Sequence, residues 1–94
     1  MSAVAEPLRS VIDVLARRGA LDVYLALEDG ALSERALVRR LSALAPSVVT
    51  QRVADLRGIG AIEVVHETDE LRLTGEGRRL QDLLAAVGAW GSGK

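Results

Sequence analysis

Glycine, proline and helix-capping residues divide this chain into short segments, and the order of those segments constrains its fold more than any other feature. Gly19 follows two arginines, a combination typical of a helix end. Asp29-Gly30 ends a second apolar segment, and Pro46 suits the first turn of another helix. Breaks this frequent leave no stretch of the ~20 apolar residues needed to span a bilayer.

Apolar residues recur at helical spacing within these segments. Leu8, Val11, Ile12 and Leu15 follow one another at i, i+3, i+4 and i+7, which places them on one face of a first helix. Ser33 is the predicted N-cap of the third helix, because its hydroxyl can accept from a backbone N–H of the first turn. The predicted helices cover residues 6–18, 20–27, 34–41, 46–57 and 75–90.

A strand pair is predicted between the last two helices. Residues 61–67 are rich in β-branched side chains, Thr68-Asp69-Glu70 suits a tight turn, and Leu71-Arg72-Leu73 returns as a second strand. Thr74 then caps the final helix. We expect residues 91–94 to form a flexible tail.

The predicted order of elements is α-α-α-α-β-β-α, an α+β fold that is mostly α. Two helices joined by a four-residue turn span residues 33–58, and a hairpin over 61–73 follows them. This is the layout of a winged helix-turn-helix. We expect one such domain over residues 1–94, with terminal helices at 6–18 and 75–90.

The composition excludes several classes of functional site. The chain has no cysteine and one histidine, which excludes a disulfide framework, a Cys-ligated zinc and a cluster of His ligands. The hydrophobic fraction is 49% but the aromatic fraction is 2%, namely Tyr24 and Trp90, so the core is predicted to be aliphatic. We therefore expect a protein that is not an enzyme and binds no metal or cofactor. The N-terminus lacks the pattern of a signal peptide, and we expect a cytoplasmic protein with no membrane partner.

An ordered set of short motifs runs from Gly19 to Trp90. They are Asp29-Gly30, Leu37–Leu41, Thr50–Leu56, Gly60 with Ile62, and Leu73–Leu80. In this order and spacing the set resembles the HxlR-type (MarR-like) winged-helix transcriptional regulators. The family's aromatic residue near the third helix is Glu34 here, and the N-terminal cysteine that some members use for sensing is absent.

The resemblance implies a dimeric repressor or activator that binds double-stranded DNA. The helix over 46–57 would lie in the major groove, and the hairpin from Ile62 to Leu73 would be the wing. The terminal helices would form the dimer interface, through Leu8, Val11, Ile12, Leu15, Leu83, Val87 and Trp90. A small-molecule effector could bind between these helices and the DNA-reading part, but no residue set identifies one.

The helix over 46–57 supplies the predicted base-reading residues. At 100° per residue Val49, Val53 and Leu56 define the buried side, so Ser47 and Gln51 point away from it. Glutamine can pair with adenine in the major groove. Arg52 is nearer the core edge and is predicted to pair with Asp55. With the nearby arginines, the predicted DNA-binding residues are Arg35, Arg39, Arg40, Ser47, Thr50, Gln51, Arg52 and Arg57.

Charge is distributed unevenly along the chain. The net charge is -1, yet residues 33–57 contain five arginines against two carboxylates, a local charge of +3. The hairpin carries four carboxylates and one basic residue, Arg72. Such carboxylates would repel phosphates, so the wing could instead face away from DNA or toward a protein. His66 is the single histidine of the chain, and it is predicted to be a half-buried strand residue without a ligand role.

Two functions follow from these patterns. The first is a transcriptional regulator that binds a pseudo-palindromic operator as a homodimer. The alternative is a degenerate winged-helix module that serves protein interaction or dimerisation without specific DNA binding.

Overall fold

The computed structural model describes the backbone of residues 2–93 and the side chains of residues 9–85. The elements follow the predicted order α-α-α-α-β-β-α. They are α1 (Ser2–Leu15), α2 (Ala20–Ala26), α3 (Glu34–Arg40), α4 (Pro46–Gly58), β1 (Ile62–Val65), β2 (Glu70–Leu73) and α5 (Gly75–Gly93). None of the described helices combines the length and apolar character needed to cross a membrane.

The first helix differs from its predicted bounds of 6–18 at both ends. It begins at Ser2, so Pro7 is its sixth residue and not part of its first turn. It ends at Leu15 because the chain then tightens, with the Arg17 N–H donating to the Val14 carbonyl at 3.0 Å. Gly19 completes the reversal in the left-handed region at φ 89°. A Cβ there would lie 3.0 Å from Leu44 Cδ1, so both backbone and packing favour glycine.

The two helices of the helix-turn-helix begin where the sequence predicts. The Ser33 hydroxyl accepts from the Ala36 N–H at 3.0 Å, which caps α3 as expected. Pro46 occupies the first turn of α4, which ends at Gly58, one residue beyond the predicted bound. Both helices pack on each other and on α2.

The hairpin is shorter than predicted. β1 and β2 are antiparallel, with Ile62 opposite Leu73 and Val65 opposite Glu70, and residues 66–69 form the turn. The Asp69 N–H donates to the Val65 carbonyl at 2.7 Å, which closes the turn before His66 can join the strand. His66 is therefore exposed, and its predicted half-buried strand position is wrong.

A third segment pairs with the hairpin. Leu32 and Leu71 exchange backbone hydrogen bonds of 3.0 and 2.7 Å, an isolated bridge that the sequence pattern did not predict. This bridge fixes the segment before α3 against β2. The helix-turn-helix and the hairpin are thus joined directly through the backbone.

The core is aliphatic, as predicted, with Tyr24 as the aromatic member among the described buried residues. The Tyr24 hydroxyl donates to the Gly77 carbonyl at 2.5 Å and thereby joins α2 to α5. Burial, with a smaller effect from Glu28, raises the pKa of Tyr24 to about 12. Trp90 lies outside the residues whose side chains are described. The core cluster consists of Val14, Val23, Tyr24, Leu27, Leu37, Val49, Val53, Leu56, Ala61, Ile62, Leu71 and Leu73.

The start of α5 is held against the hairpin by Thr74 and Gly77. The Thr74 hydroxyl donates to the Gly60 carbonyl and accepts from the Gly77 N–H at 2.9 Å, which caps the helix. A Cβ on Gly77 would lie 2.0 Å from the Ala61 carbonyl oxygen, so this close approach requires glycine.

The C-terminal end of α5 lies beyond its predicted bound of 90. The helix continues to Gly93, so the predicted tail is wrong over residues 91–93. Each glycine lowers helix propensity by only about 1 kcal/mol, which does not by itself end a helix. Lys94 lies outside the described residues.

Candidate nucleic-acid interface

The fourth helix presents one face to the core and the opposite face to solvent. Val49 and Leu56 are fully buried and Val53 is 4% exposed, so the predicted buried side is confirmed. Ser47, Thr50, Gln51, Ala54 and Arg57 are exposed along the other side. We call these five residues the reading stripe. Its side chains are short or polar over the first two turns, a shape that fits close approach to base edges.

Thr50 is tied to the preceding helix. Its hydroxyl donates to Oε2 of Glu34 at 2.9 Å, across 16 residues of sequence. Glu34 stands in the first turn of α3 and is exposed. It is not among the sequence-predicted site residues, because periodicity within one helix does not reveal which side chains meet between two helices.

Three arginines are exposed on α3, the helix whose first turn contacts Thr50. These are Arg35, Arg39 and Arg40, with the last two in the final turn of the helix. Arg40 Nη1 also donates to the carbonyl of Ala26, the last residue of α2, at 3.4 Å. A cation at this position is favourable because unpaired carbonyls give a helix C-terminus a partial negative charge.

Arg52 lies apart from the exposed residues. Its side chain is 18% exposed and pairs with Asp55 as the sequence predicts, while Arg17 pairs with the same carboxylate at 3.0 Å. Asp55 thus connects α4 to the turn that follows α1. The Nε atom of Arg52 is buried without a hydrogen-bond partner. Arg52 therefore helps to hold α4 in place through Asp55 and does not belong to the reading stripe.

The hairpin next to α4 is acidic at its tip. Glu67 and Asp69 are exposed in the turn, while Glu63 accepts from Arg72 Nε at 2.7 Å across the strands. This pair occupies the face opposite Ile62 and Leu73, which are buried in the core. The one basic side chain of the hairpin is therefore already paired with a carboxylate.

Comparison with known proteins finds likeness in solved structures alone, since no family model and no curated protein matches the chain. Quinone-bound YodB from B. subtilis superimposes with a TM-score of 0.82 at 18% identity, covering 93% of this chain and 97% of that one. HlyU from Vibrio cholerae gives a TM-score of 0.74 at 24% identity, with coverage of 93% and 97%. The transcriptional repressor BigR from Xylella fastidiosa gives 0.75 at 19% identity, with coverage of 98% and 93%.

The chain has the winged helix-turn-helix fold. In that fold α3 and α4 form the helix-turn-helix, α4 has the position of the recognition helix and the hairpin β1–β2 has that of the wing. The predicted fold class is confirmed over almost the whole length of these structures. At identities below 25% the likeness establishes the fold, so the predicted HxlR-type subfamily stays a prediction.

Within the part of the chain whose side chains are described, two concave regions border α4. A cleft of about 410 Å³ lies where α1, the end of α4 and α5 meet, and it is lined by Ser10, Val11, Gly58, Ile59, Ala61, Glu76 and Leu80. A smaller cavity of about 310 Å³ lies between Arg57 and the wing, next to His66 and Glu63. Among the described residues no group of three His, Cys, Asp or Glu side chains is placed to hold a metal ion.

Some of the predicted dimer residues lie outside the part of the chain whose side chains the structure describes. Ile12 is 55% exposed and Leu83 is 47% exposed, whereas Val11 and Leu15 are partly buried. Leu8, Val87 and Trp90 lie outside the residues whose side chains are described. Leu21 and Leu25 of α2 are also exposed, at 41% and 50%, and the sequence did not single them out.

Proposed function

We propose that this protein is a DNA-binding transcriptional regulator of the HxlR-type (MarR-like) kind. The observation that carries the proposal is the reading stripe, a polar, exposed face of α4, together with the exposed arginines on α3, the helix packed against it. Residues 33–57 have a local charge of +3 in a chain whose net charge is -1. Localised positive charge beside a recognition helix is the electrostatic pattern of a phosphate-facing surface.

The proposal assigns different tasks to the two helices. Ser47, Thr50 and Gln51, in the first half of α4, read base edges in the major groove, since recognition helices contact bases mainly through their N-terminal residues. Arg35, Arg39, Arg40 and Arg57 contact phosphates, which position the protein without reading sequence. Arg52 contributes by holding α4 through Asp55.

The proposed assembly is a homodimer on a pseudo-palindromic operator. The exposed Ile12 of α1 and Leu83 of α5 support pairing through the terminal helices, since large aliphatic side chains gain free energy when buried between subunits. A two-fold axis would place two recognition helices in successive major grooves, about 34 Å apart. YodB and BigR, which share the fold, are themselves described as a transcriptional regulator and a transcriptional repressor.

The test is selection of bound fragments from genomic DNA, followed by titration of the best fragment and of a shuffled control at several salt concentrations. We expect one or a few sequences to be enriched, with inverted half-sites. The logarithm of affinity should fall with that of salt by about 0.9 for each phosphate contact. Sedimentation of the free protein should give a dimer. Binding without sequence preference and without a salt slope would contradict the regulator proposal.

The second candidate function is a protein-interaction or dimerisation module that keeps the fold and does not bind specific DNA. The acidic tip of the wing favours it, because Glu67 and Asp69 would lie beside phosphates in a wing that contacts DNA. This module would form the same dimer in sedimentation but would enrich no DNA sequence.

A further inference from the structure

We propose that Glu34 is a specificity-determining residue of the DNA-reading surface, which it controls through Thr50. This inference rests on the proposed function, since it concerns which bases the recognition helix accepts. The observation is the 2.9 Å hydrogen bond from the hydroxyl of Thr50, a residue of the reading stripe, to Oε2 of Glu34 in the first turn of α3. Both side chains are exposed, so the pair faces any molecule that the stripe contacts.

The direction of this hydrogen bond decides what Thr50 can offer a base. A threonine hydroxyl has one hydrogen and two lone pairs, while an ionised carboxylate only accepts. The hydrogen is therefore committed to Glu34, and the Thr50 oxygen presents lone pairs alone. The remaining sites of the Glu34 carboxylate are acceptors as well. The pair forms a patch that can receive hydrogen bonds and cannot donate them.

Such a patch distinguishes bases by their major-groove edges. Cytosine presents an N4 amino donor and adenine an N6 amino donor, whereas guanine presents the acceptors N7 and O6. An amino group beside Thr50 gains a hydrogen bond, and a guanine edge meets unpaired acceptors. We infer that the base beside Thr50 is cytosine or adenine and that guanine is disfavoured.

The same patch limits contact with the DNA backbone. A phosphate oxygen also accepts only, so neither Thr50 nor Glu34 can hold it. Arg35 and Arg39 of the same helix remain available for that task. Thr50 and Glu34 are therefore suited to contact base edges, and the contacts with phosphates fall to the arginines.

The experiment compares DNA sequences selected from a randomised library by the full chain and by three variants. Glu34→Gln keeps the shape but removes the charge and supplies an amide donor. Thr50→Val keeps the shape but removes the hydroxyl. Glu76→Gln is the matched control, since Glu76 is an exposed carboxylate in the first turn of α5 and its loss changes the net charge equally. Circular dichroism is used to check that each variant is folded.

We expect the wild type to favour cytosine or adenine over guanine at one position in each half-site by about three- to tenfold, the size of one net hydrogen bond. Glu34→Gln should remove this preference or admit guanine, and Thr50→Val should weaken it at the same position. Glu76→Gln should leave the base preference unchanged.

The two levels of failure are distinguishable. If the wild type selects a sequence and Glu34→Gln alters only overall affinity, as Glu76→Gln does, this inference is wrong and the regulator proposal stands. If the wild type selects no sequence, both the regulator proposal and this inference are overturned.

Discussion

The helix-turn-helix and the wing lie next to each other in the chain and pack on the same core, yet their surfaces carry opposite charge. Residues 33–57 contain five arginines against two carboxylates, whereas residues 61–73 contain four carboxylates against one arginine. The buried side is aliphatic in both, with Leu37 and Leu56 in one and Ile62 and Leu73 in the other. Burial fixes the fold in both regions but leaves each surface free to differ, so surface charge, and not fold, separates the two candidate functions.

The two regions also differ in the contacts that stabilise them. The helix-turn-helix rests on fully buried side chains, and the carboxylate of Asp55, which pairs with Arg17 and Arg52, is 19% exposed. The cross-strand ion pair of the wing, Arg72 with Glu63, is 52% and 45% exposed. Water screens exposed charges. The stability of the wing therefore depends on the buried faces of its strands and on the packing of α5 against Ala61, the residue before β1.

The largest effect on stability is expected where α5 packs against Ala61. Gly77→Ala should lower the free energy of unfolding by about 3 kcal/mol or more, because the new Cβ would lie 2.0 Å from the Ala61 carbonyl and α5 would have to move away from the wing. Chemical denaturation monitored by circular dichroism measures the change.

Gly75→Ala is the matched control for this substitution. Gly75 lies in the same first turn of α5, and a Cβ there would meet nothing within 4 Å. It should be neutral or stabilising by up to about 1 kcal/mol. Equal effects from the two substitutions would show that the close approach to Ala61 does not constrain the fold.

The second prediction concerns a variant in which two arginines of the helix-turn-helix are replaced by glutamates. The double variant Arg39→Glu, Arg40→Glu should weaken DNA binding by roughly 100-fold at low salt and reduce the salt slope by about 2, because two phosphate contacts become repulsive. Arg78→Glu with Arg79→Glu is the control, since these adjacent exposed arginines lie on α5. Unchanged DNA binding in the first variant, with an intact dimer in sedimentation, would contradict the phosphate contacts assigned to Arg39 and Arg40.

The third prediction concerns the core beneath the helix-turn-helix. Burial raises the pKa of Tyr24 to about 12, above the 10.0 of an exposed tyrosine. Its contribution to stability is therefore fully present below pH 10 and is lost as pH rises toward 12, because the unfolded chain ionises first. We expect a loss of about 1 to 2 kcal/mol over that interval. Tyr24→Phe should lack this decline in denaturation measured at pH 9 and pH 11.5, and a parallel decline would contradict the assignment to Tyr24.

The elements of both regions were predictable because their signals are local. Ser33 caps α3 through a bond within four residues, and Pro46 begins α4 through its own restricted backbone. Errors occurred at the ends of elements. His66 was assigned to a strand on β-branched neighbours, but the Asp69 N–H closes the turn on Val65 first.

The candidate site was less predictable because it depends on contacts between helices. Helical periodicity placed Ser47 and Gln51 on the exposed side correctly. It could not show that Thr50 donates to Glu34, or that Arg17 shares Asp55 with Arg52, since these pairs join separate elements. The bridge between Leu32 and Leu71 was missed for the same reason, as one paired residue leaves no periodic pattern.

The fourth prediction concerns the carboxylates at the tip of the wing, whose removal reduces the charge difference between the two regions. The double variant Glu67→Gln, Asp69→Asn should raise DNA affinity by about threefold at low salt if the tip lies within a Debye length of the phosphates. Asparagine is chosen because residue 69 has φ 58°, a left-handed conformation that it tolerates well. Asp22→Asn with Glu28→Gln on and after α2 serves as the control. No gain over this control would place the wing tip away from DNA.

The smallest effect is expected from the cross-strand pair of the wing. Arg72→Gln removes the partner of Glu63 on a face where both side chains are about half exposed. An exposed pair of this kind contributes about 0.5 kcal/mol or less to the free energy of unfolding, and that contribution falls further as salt is raised. Denaturation at low and high salt, with Glu63→Gln and the double variant, gives the coupling energy between the two side chains. A coupling above about 1 kcal/mol would contradict the expectation for an exposed pair and would show that the wing, unlike the helix-turn-helix, draws a substantial part of its stability from surface charge.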